Sequence, residues 1–344
     1  MTAMTSTDTT AAGTGEGRRI VVTGVGANPG FDLARSLQNL GHHVIATDAQ
    51  PLAPGLLLPD VTARVTPRAD DPRYSAALLQ LCRNTDADAL IVGIEPDLPP
   101  VLRARRALAA AGVRVWLPTA EAVHSCLDKA AFHRVLTDCE VPTPRSWLPD
   151  QLDQIPDGTE LVVKPRGGHG AQHVHFPATA EQARVLCELV PDPLVQERVH
   201  GEEFTADCLV DRAGRASLVL RRRSLVKAGL AAVAVTFHDE RVAEQVRRTL
   251  AAVGAAGLSC VQGFITDRGP APVVITEVNV RVAGGFALAE AAGADLIGQA
   301  VNGLFGQAVD HDRLAYRDDV FLTKYTETLT AGDASTLRAL QEQQ

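Results

Sequence analysis

The chain has 344 residues, 46% of them hydrophobic and 22% charged, which supports a normal globular core and, at this length, two or three compact units. A formal net charge of -8 gives no electrostatic reason to bind nucleic acid or an anionic membrane, and no apolar run approaches the ~20 residues that span a bilayer. The six cysteines are scattered without a C-x-x-C pair, so they do not form a cysteine zinc site and read as reduced thiols in a cytoplasmic protein.

Residues 1–17 are rich in Thr, Ala and Gly and lack an apolar segment, so they read as a disordered tail and not a signal peptide. Arg18–Thr23 is a short run of branched apolar residues, which predicts a strand. A glycine-rich turn and a helical pattern to Leu40 follow, then a second strand at His43–Thr47. A helix around Tyr74–Asn84 leads to a strand at Leu90–Gly93, and Val113–Leu117 reads as a further strand. Residues 18–117 thus predict a parallel sheet flanked by helices.

Past Pro118, residues 119–140 read as helical, stopped by Pro142 and Pro144. A strand at Leu161–Lys164, a helix over 179–190 and strands at Leu194–Glu197, Glu203–Val210 and Ala216–Arg221 come next. Then come a helix at Glu240–Ala252, strands at Val261–Ile265 and Val273–Val278, and helices at Ala287–Ala292 and Leu296–Phe305.

Gly24-x-Gly26-x-x-x-Gly30 follows a strand and opens a helix, and Asp48 ends the next strand. A dinucleotide site uses such features, so an NAD(P)-dependent oxidoreductase is a rival reading. The spacing is not G-x-G-x-x-G, and a tight βα turn accounts for the same glycines.

Four separated elements suit polyphosphate chemistry. Asp128-Lys129 opens the second unit, although one lysine alone reads as a solvated charge. Lys164 ends a strand before Gly167, Gly168, His169 and Gly170, a loop whose N–H groups can lie against phosphates or merely make a turn. Gln196-Glu197-Arg198-Val199 followed by Glu203 supplies a backbone edge for a base and a carboxylate for sugar hydroxyls. Glu277 and Asn279 alternate along a strand and point to one face, where Gln262 of a neighbouring strand joins them. Oxygen ligands held this way suit Mg²⁺, and Arg281 is spaced to stabilise charge on a transferring phosphoryl group.

These motifs, in this order, resemble those of the ATP-grasp enzymes, nearest to the branch related to the carbamoyl phosphate synthetase large subunit, across about residues 18–325. The resemblance implies an α/β fold: a Rossmann-like pre-ATP-grasp domain over 18–117, then a two-lobed α+β ATP-grasp domain. Its N-lobe, with the glycine-rich loop, is expected over 118–195, its C-lobe, with the metal site, over 196–330, and a C-terminal helix or tail over 331–344. It implies Lys129 and Lys164 on ATP phosphates, Lys164 also near the adenine, Glu197 and the Val199 N–H on the adenine edge, and Glu203 on the ribose. Gln262, Glu277 and Asn279 match the metal positions, for Mg²⁺ or Mn²⁺ in its place, and Arg281 the arginine that follows them. Such families usually read E-x-N-P-R, whereas this chain has Val280 in place of proline. The first domain's strand ends, Gly26–Gly30 and Glu95, are then expected to face substrate.

The implied reaction is two-step: a carboxylate attacks the γ-phosphate of ATP, giving an acylphosphate and ADP, and an amine then displaces phosphate. Arg223 and Lys227 are candidates to meet the acyl substrate, against a solvated Arg221-Arg222-Arg223 cluster. Gly284 and Gly285 open a helix whose N–H groups suit a substrate carboxylate, or form a plain turn. His169, His173 and His175 lack an established zinc spacing and read as structural or solvent-facing, with His169 near phosphate on loop closure. The expected function is a carboxylate–amine ligase that joins an amino acid or other small acid to an amine, with peptide-like or natural-product biosynthesis as an expected setting and a homodimer as a common assembly of similar enzymes. Alternatives are a bicarbonate-activating enzyme, the oxidoreductase, and a non-catalytic nucleotide module.

Overall fold

The computed structural model describes residues 17–168, 172–227, 230–267, 271–325, 328 and 332–343, without the side chains of residues 227, 230 and 231. The first domain runs β1 (Arg19–Thr23), α1 (Asn28–Asn39), β2 (His43–Asp48), β3 (Thr62–Val65), α2 (Tyr74–Asn84), β4 (Ala89–Ile91) and α3 (Leu98–Ala110). Its four-stranded sheet has the order β3-β2-β1-β4, with every pair parallel. The turn after β1 is as tight as its glycines imply. Gly24 sits at φ 65°, and a Cβ on Gly30 would lie 2.3 Å from the Gly24 carbonyl oxygen. The Val113–Leu117 strand does not form: Arg114 makes only an isolated parallel bridge to Ala89 before the chain turns away.

The expected single helix over 119–140 is two, α4 (Ala120–Leu127) and α5 (Lys129–Asp138). Asp128 breaks it: its backbone is extended, and its carboxylate accepts from the N–H groups of Ala130 and Ala131. Next come β5 (Ser146–Trp147), β6 (Leu161–Pro165), α6 (Ala180–Leu189) and β7 (Pro193–Glu197), in an antiparallel three-stranded sheet of order β5-β7-β6. This lobe has a core of its own around Trp147, Leu161, Val163, Ala183 and Val195.

The larger lobe holds β8 (Glu202–Val210), β9 (Ala216–Lys227), β10 (Leu230–Thr236), α7 (Glu240–Ala252), β11 (Gly257–Ile265), β12 (Val273–Asn279), α8 (Ala287–Ala291), α9 (Leu296–Leu304), β13 (Phe321–Thr323) and α10 (Ala334–Gln341). Six strands pair in the order β12-β11-β8-β9-β10-β13, all antiparallel. Its core is continuous with the first domain's: Val21, Leu78 and Leu98 share one cluster with Phe132, Phe204, Val246 and Val261. The first domain and the large sheet therefore form one packed body, and the small lobe stands on separate apolar contacts. Among the described residues, no helix is long and apolar enough to cross a membrane.

Candidate active site

A cleft of about 880 Å³ lies between the small lobe, the large sheet and the first domain's strand ends. One face of the large sheet is its floor. Antiparallel register sets Arg221, Thr205, Gln262 and Glu277 side by side, with Asp207, Cys260 and Asn279 in the next row. A bulge fixes which β12 residues face the cleft: Gln262 pairs with Glu277 but Gly263 pairs with Ile275, leaving Thr276 as the extra residue. Thr276 Oγ1 donates to the Gln262 carbonyl at 3.2 Å, and a Cβ on Gly263 would come within 2.4 Å of the Val274 oxygen. Only glycine fits there.

Asn279 is buried, and its Oδ1 accepts from Arg281 Nη2 at 3.2 Å; Arg281 also donates to the Val282 carbonyl at 2.9 Å. The same guanidinium lies 3.6 Å from Glu95 of the first domain. Val280, in place of the family's proline, is a core residue beside Val278, so that position serves packing here.

The roof comes from the small lobe and the start of α5. Lys129 Nζ lies 3.4 Å from Glu277 Oε1 and donates to the Gly168 carbonyl at 3.2 Å, bridging the glycine-rich loop and the metal-side strand. Asp128 binds Arg166, and the Lys129 N–H reaches the Arg166 carbonyl, which fixes the first turn of α5 against that loop. Lys164 Nζ donates to Gln196 Oε1 at 2.8 Å, and Gln196 Nε2 donates to Ser146 Oγ at 2.9 Å. Burial pushes the Lys164 ammonium down to about 8, Glu277 opposes this, and Lys129 adds to it. Gly167, Gly168, Glu197, Arg198 and Val199 complete this side of the cleft. Among the described residues the Val199 N–H meets no acceptor.

Several side chains have partners that the sequence did not reveal. The Glu197 carboxylate is held by Arg145 in a two-pronged pair at 2.9 and 3.3 Å, so its side chain turns to Arg145. Arg198 stacks on Phe176. Glu203 is paired with Arg223. The solvated arginine cluster does not hold: Arg221 is 3% exposed and forks onto Asp207 at 2.8 and 3.2 Å. Gly285 lies against that guanidinium, where a Cβ would be 2.7 Å from Nη1. Gly284 lines the cleft, and its carbonyl accepts from Lys324, which also binds Asp32 of α1 at 2.7 Å. Asp207 and Lys324 were missed. Asp207 lies inside an apolar strand run, and Lys324 follows a strand too short to show alternation. His169, Gly170 and the Lys227 side chain lie outside the described residues. His173 is exposed, and the His175 backbone bridges to Val163.

Gln262, Glu277 and Asn279 present one carboxylate and two amide oxygens, a donor set that suits a hard cation such as Mg²⁺. Among the described residues no three His, Cys, Asp or Glu side chains gather as a self-contained cage.

The first glycine motif forms a tight turn, and its dinucleotide acid is already used. Asp48 accepts from the Gly26 N–H at 2.7 Å and the Gln50 N–H at 2.9 Å. Residues Gly26–Pro29 nonetheless line the cleft, as their strand end predicts.

A parallel-sheet domain followed by two lobes clasping a lysine-roofed, oxygen-floored cleft defines the ATP-grasp architecture. Residues 190–328 match the family model "ATP-grasp in the biosynthetic pathway with Ter operon", and residues 20–116 match "PylC-like, N-terminal domain". The chain thus has the ATP-grasp fold, and its residues 190–328 are similar to an ATP-grasp family. Solved structures of the same fold include a biotin carboxylase complex from Campylobacter jejuni, at TM-score 0.71 and 14% identity over 88% of this chain and 74% of that one. The L-amino acid ligase of Bacillus licheniformis aligns at TM-score 0.67 and 16% identity over 85% and 75%. The ADP complex of Staphylococcus aureus N5-carboxyaminoimidazole synthetase aligns at 0.68 and 16% over 86% and 79%. No curated protein sequence matches the chain.

Proposed function

We propose that the protein is an ATP-dependent, ADP-forming ligase that phosphorylates a small carboxylate, an amino acid or related acid, and couples the acylphosphate to an amine. The observation that carries this reading is the convergence of Lys129, Glu277, Asn279 and Arg281 at one end of the cleft, with Lys164, Val199 and Glu203 along it.

In this reading the Val199 N–H and the small-lobe edge take the base, and Glu203 takes the ribose. Lys164 and Lys129 bind phosphates, with Lys129 held at the metal side by Glu277. Mg²⁺, when bound at Gln262, Glu277 and Asn279, neutralises charge on the phosphates. Arg281, fixed by Asn279 and the Val282 carbonyl, stands where charge builds on the transferring phosphoryl group. The glycine-rich loop and the small lobe shield the acylphosphate from water. No protein nucleophile is needed. Cys260 faces the cleft, but burial pushes its thiol up to about 12, so it stays protonated.

The amino acid ligase neighbour supports an acid–amine coupling, and the family model's description supports a biosynthetic setting. The biotin carboxylase neighbour supports a second reading in which bicarbonate is the acid. The deciding experiment incubates the protein with Mg-ATP, pooled carboxylates and amines, and labelled bicarbonate, and assays ADP, AMP and phosphate. Acid- and amine-dependent ADP with phosphate is expected. AMP with pyrophosphate sinks the acylphosphate mechanism, label incorporation shifts the acid to bicarbonate, and NADH binding without ATP turnover favours the oxidoreductase.

A further inference from the structure

Arg223 of β9 stands directly across from Glu203 of β8. Thr205 pairs with Arg221 and Phe204 with Arg222, so the next step of the ladder sets these two opposite one another. The Arg223 guanidinium closes on Glu203 Oε1, and its Nη1 also lies 3.5 Å from Gln262 Oε1. Both side chains line the cleft, but the arginine is 6% exposed and the glutamate 32%, so Glu203 is the more open to it. On the other side Phe264 of β11 flanks Glu203. Among the described residues, Glu203 Oε2 has no partner.

This arrangement is wrong for an arginine that serves the acyl group. A side chain that is 6% exposed and already closed on a carboxylate has little reach. It is right for one that holds a flexible glutamate in a single rotamer, with one oxygen anchored and the other turned to the cleft.

We infer that Arg223 is a positioning residue for the nucleotide sugar, holding Glu203 so that its open oxygen meets the 2′ and 3′ hydroxyls and sets a preference for ribonucleotides over 2′-deoxyribonucleotides. The inference rests on the ATP reading above. It moves Arg223 from the acyl substrate to the ribose.

Nucleotide binding alone tests this, without knowledge of the acid or amine. Calorimetry on the full chain compares Mg-ATP with Mg-2′-deoxyATP. Wild type is expected to favour ATP by about tenfold, the scale of one hydrogen bond to a charged acceptor. Glu203→Gln and Arg223→Met should each bring the ratio within about twofold by weakening ATP while leaving 2′-deoxyATP nearly unchanged, and the double variant should add little, as coupled residues do. Arg223→Lys, which keeps the charge in the sheet, should lower the ratio at least about threefold, since a point charge cannot reproduce the planar fork. That variant decides the matter if Arg223→Met melts early. Equal weakening of both nucleotides by either Arg223 variant would place Arg223 on the phosphates and overturn the inference, as would an unchanged ratio. A wild type that binds ATP and 2′-deoxyATP equally overturns Glu203 as the sugar acceptor. A wild type that binds neither overturns the ATP reading itself.

Discussion

Glu95, just past β4 of the first domain, and Arg281, two residues past β12, meet across the cleft with Oε1 3.6 Å from Nη2. Both are largely buried, with side chains 11% and 14% exposed, so their charges act in a poorly solvated setting. The first domain thereby contributes directly to the charge and aim of the arginine that the large lobe presents.

Glu95→Gln keeps the shape but removes the charge. It should cut substrate-dependent ADP release by about tenfold, with ATP affinity unchanged, because aim and not nucleotide binding is lost. Arg281→Ala should cost about a hundredfold or more, the scale of a lost transition-state contact. Steady-state kinetics on both variants checks this; full activity in either removes that residue from the catalytic group.

Lys164 should take up a proton when nucleotide binds. With its ammonium held near 8 by burial, a substantial neutral fraction exists at pH 8, and incoming phosphates favour the charged form. Calorimetry in buffers of different ionisation enthalpy should show uptake at pH 8 that fades at pH 6 and vanishes in Lys164→Met. Stability follows the same sign. The folded value lies below the ordinary 10.5, so the unfolded chain binds more protons between about 8 and 10.5, and this residue's penalty is relieved as pH rises through that window.

Asp97 is 5% exposed, and burial pushes its carboxyl up to about 6. The folded state then holds the proton more tightly than the unfolded one, so stability is full below the ordinary value of 3.8 and is lost as pH rises through 6. Asp97→Asn should stabilise the protein at pH 7.5 by up to about 3 kcal/mol, and the gain should disappear near pH 4. Denaturant unfolding at the two pH values reads it directly.

Arg221 and Asp207 form a buried pair under Gly285. Asp207→Ala should destabilise by about 3–5 kcal/mol, because it strands a guanidinium in the core. Gly285→Ala should cost about 1–3 kcal/mol through overpacking against Arg221. Thermal melts should rank them in that order.

The legible parts of this molecule were those in which one residue type admits one arrangement. Glu277 and Asn279, two apart in a strand run, face the same cleft because alternation permits nothing else. The turn at Gly24–Gly30 was readable because a Cβ there has no room. What stayed hidden depended on partners far along the chain. Asp128 ends α4 and caps α5, yet apolar periodicity runs through it and suggests one helix. Val113–Leu117 has a strand's composition, but past Arg114 it finds no ladder to join. Arg221 and Arg223 look alike in sequence, and only Asp207 and Glu203 on the neighbouring strand give them different work.

The far end of the chain is also stitched into the first domain. Leu340 of α10 is buried, and Gln343 Oε1 accepts from the Val65 N–H at 3.1 Å on β3, the outer strand of the first sheet. Lys324, also late in the chain, ties Gly284 to Asp32 of α1. Val65 and Gln343 are 278 positions apart, so during synthesis β3 emerges long before its cover. Until that cover arrives, the margin of β3 is an open strand edge, the kind of surface on which another strand can pair.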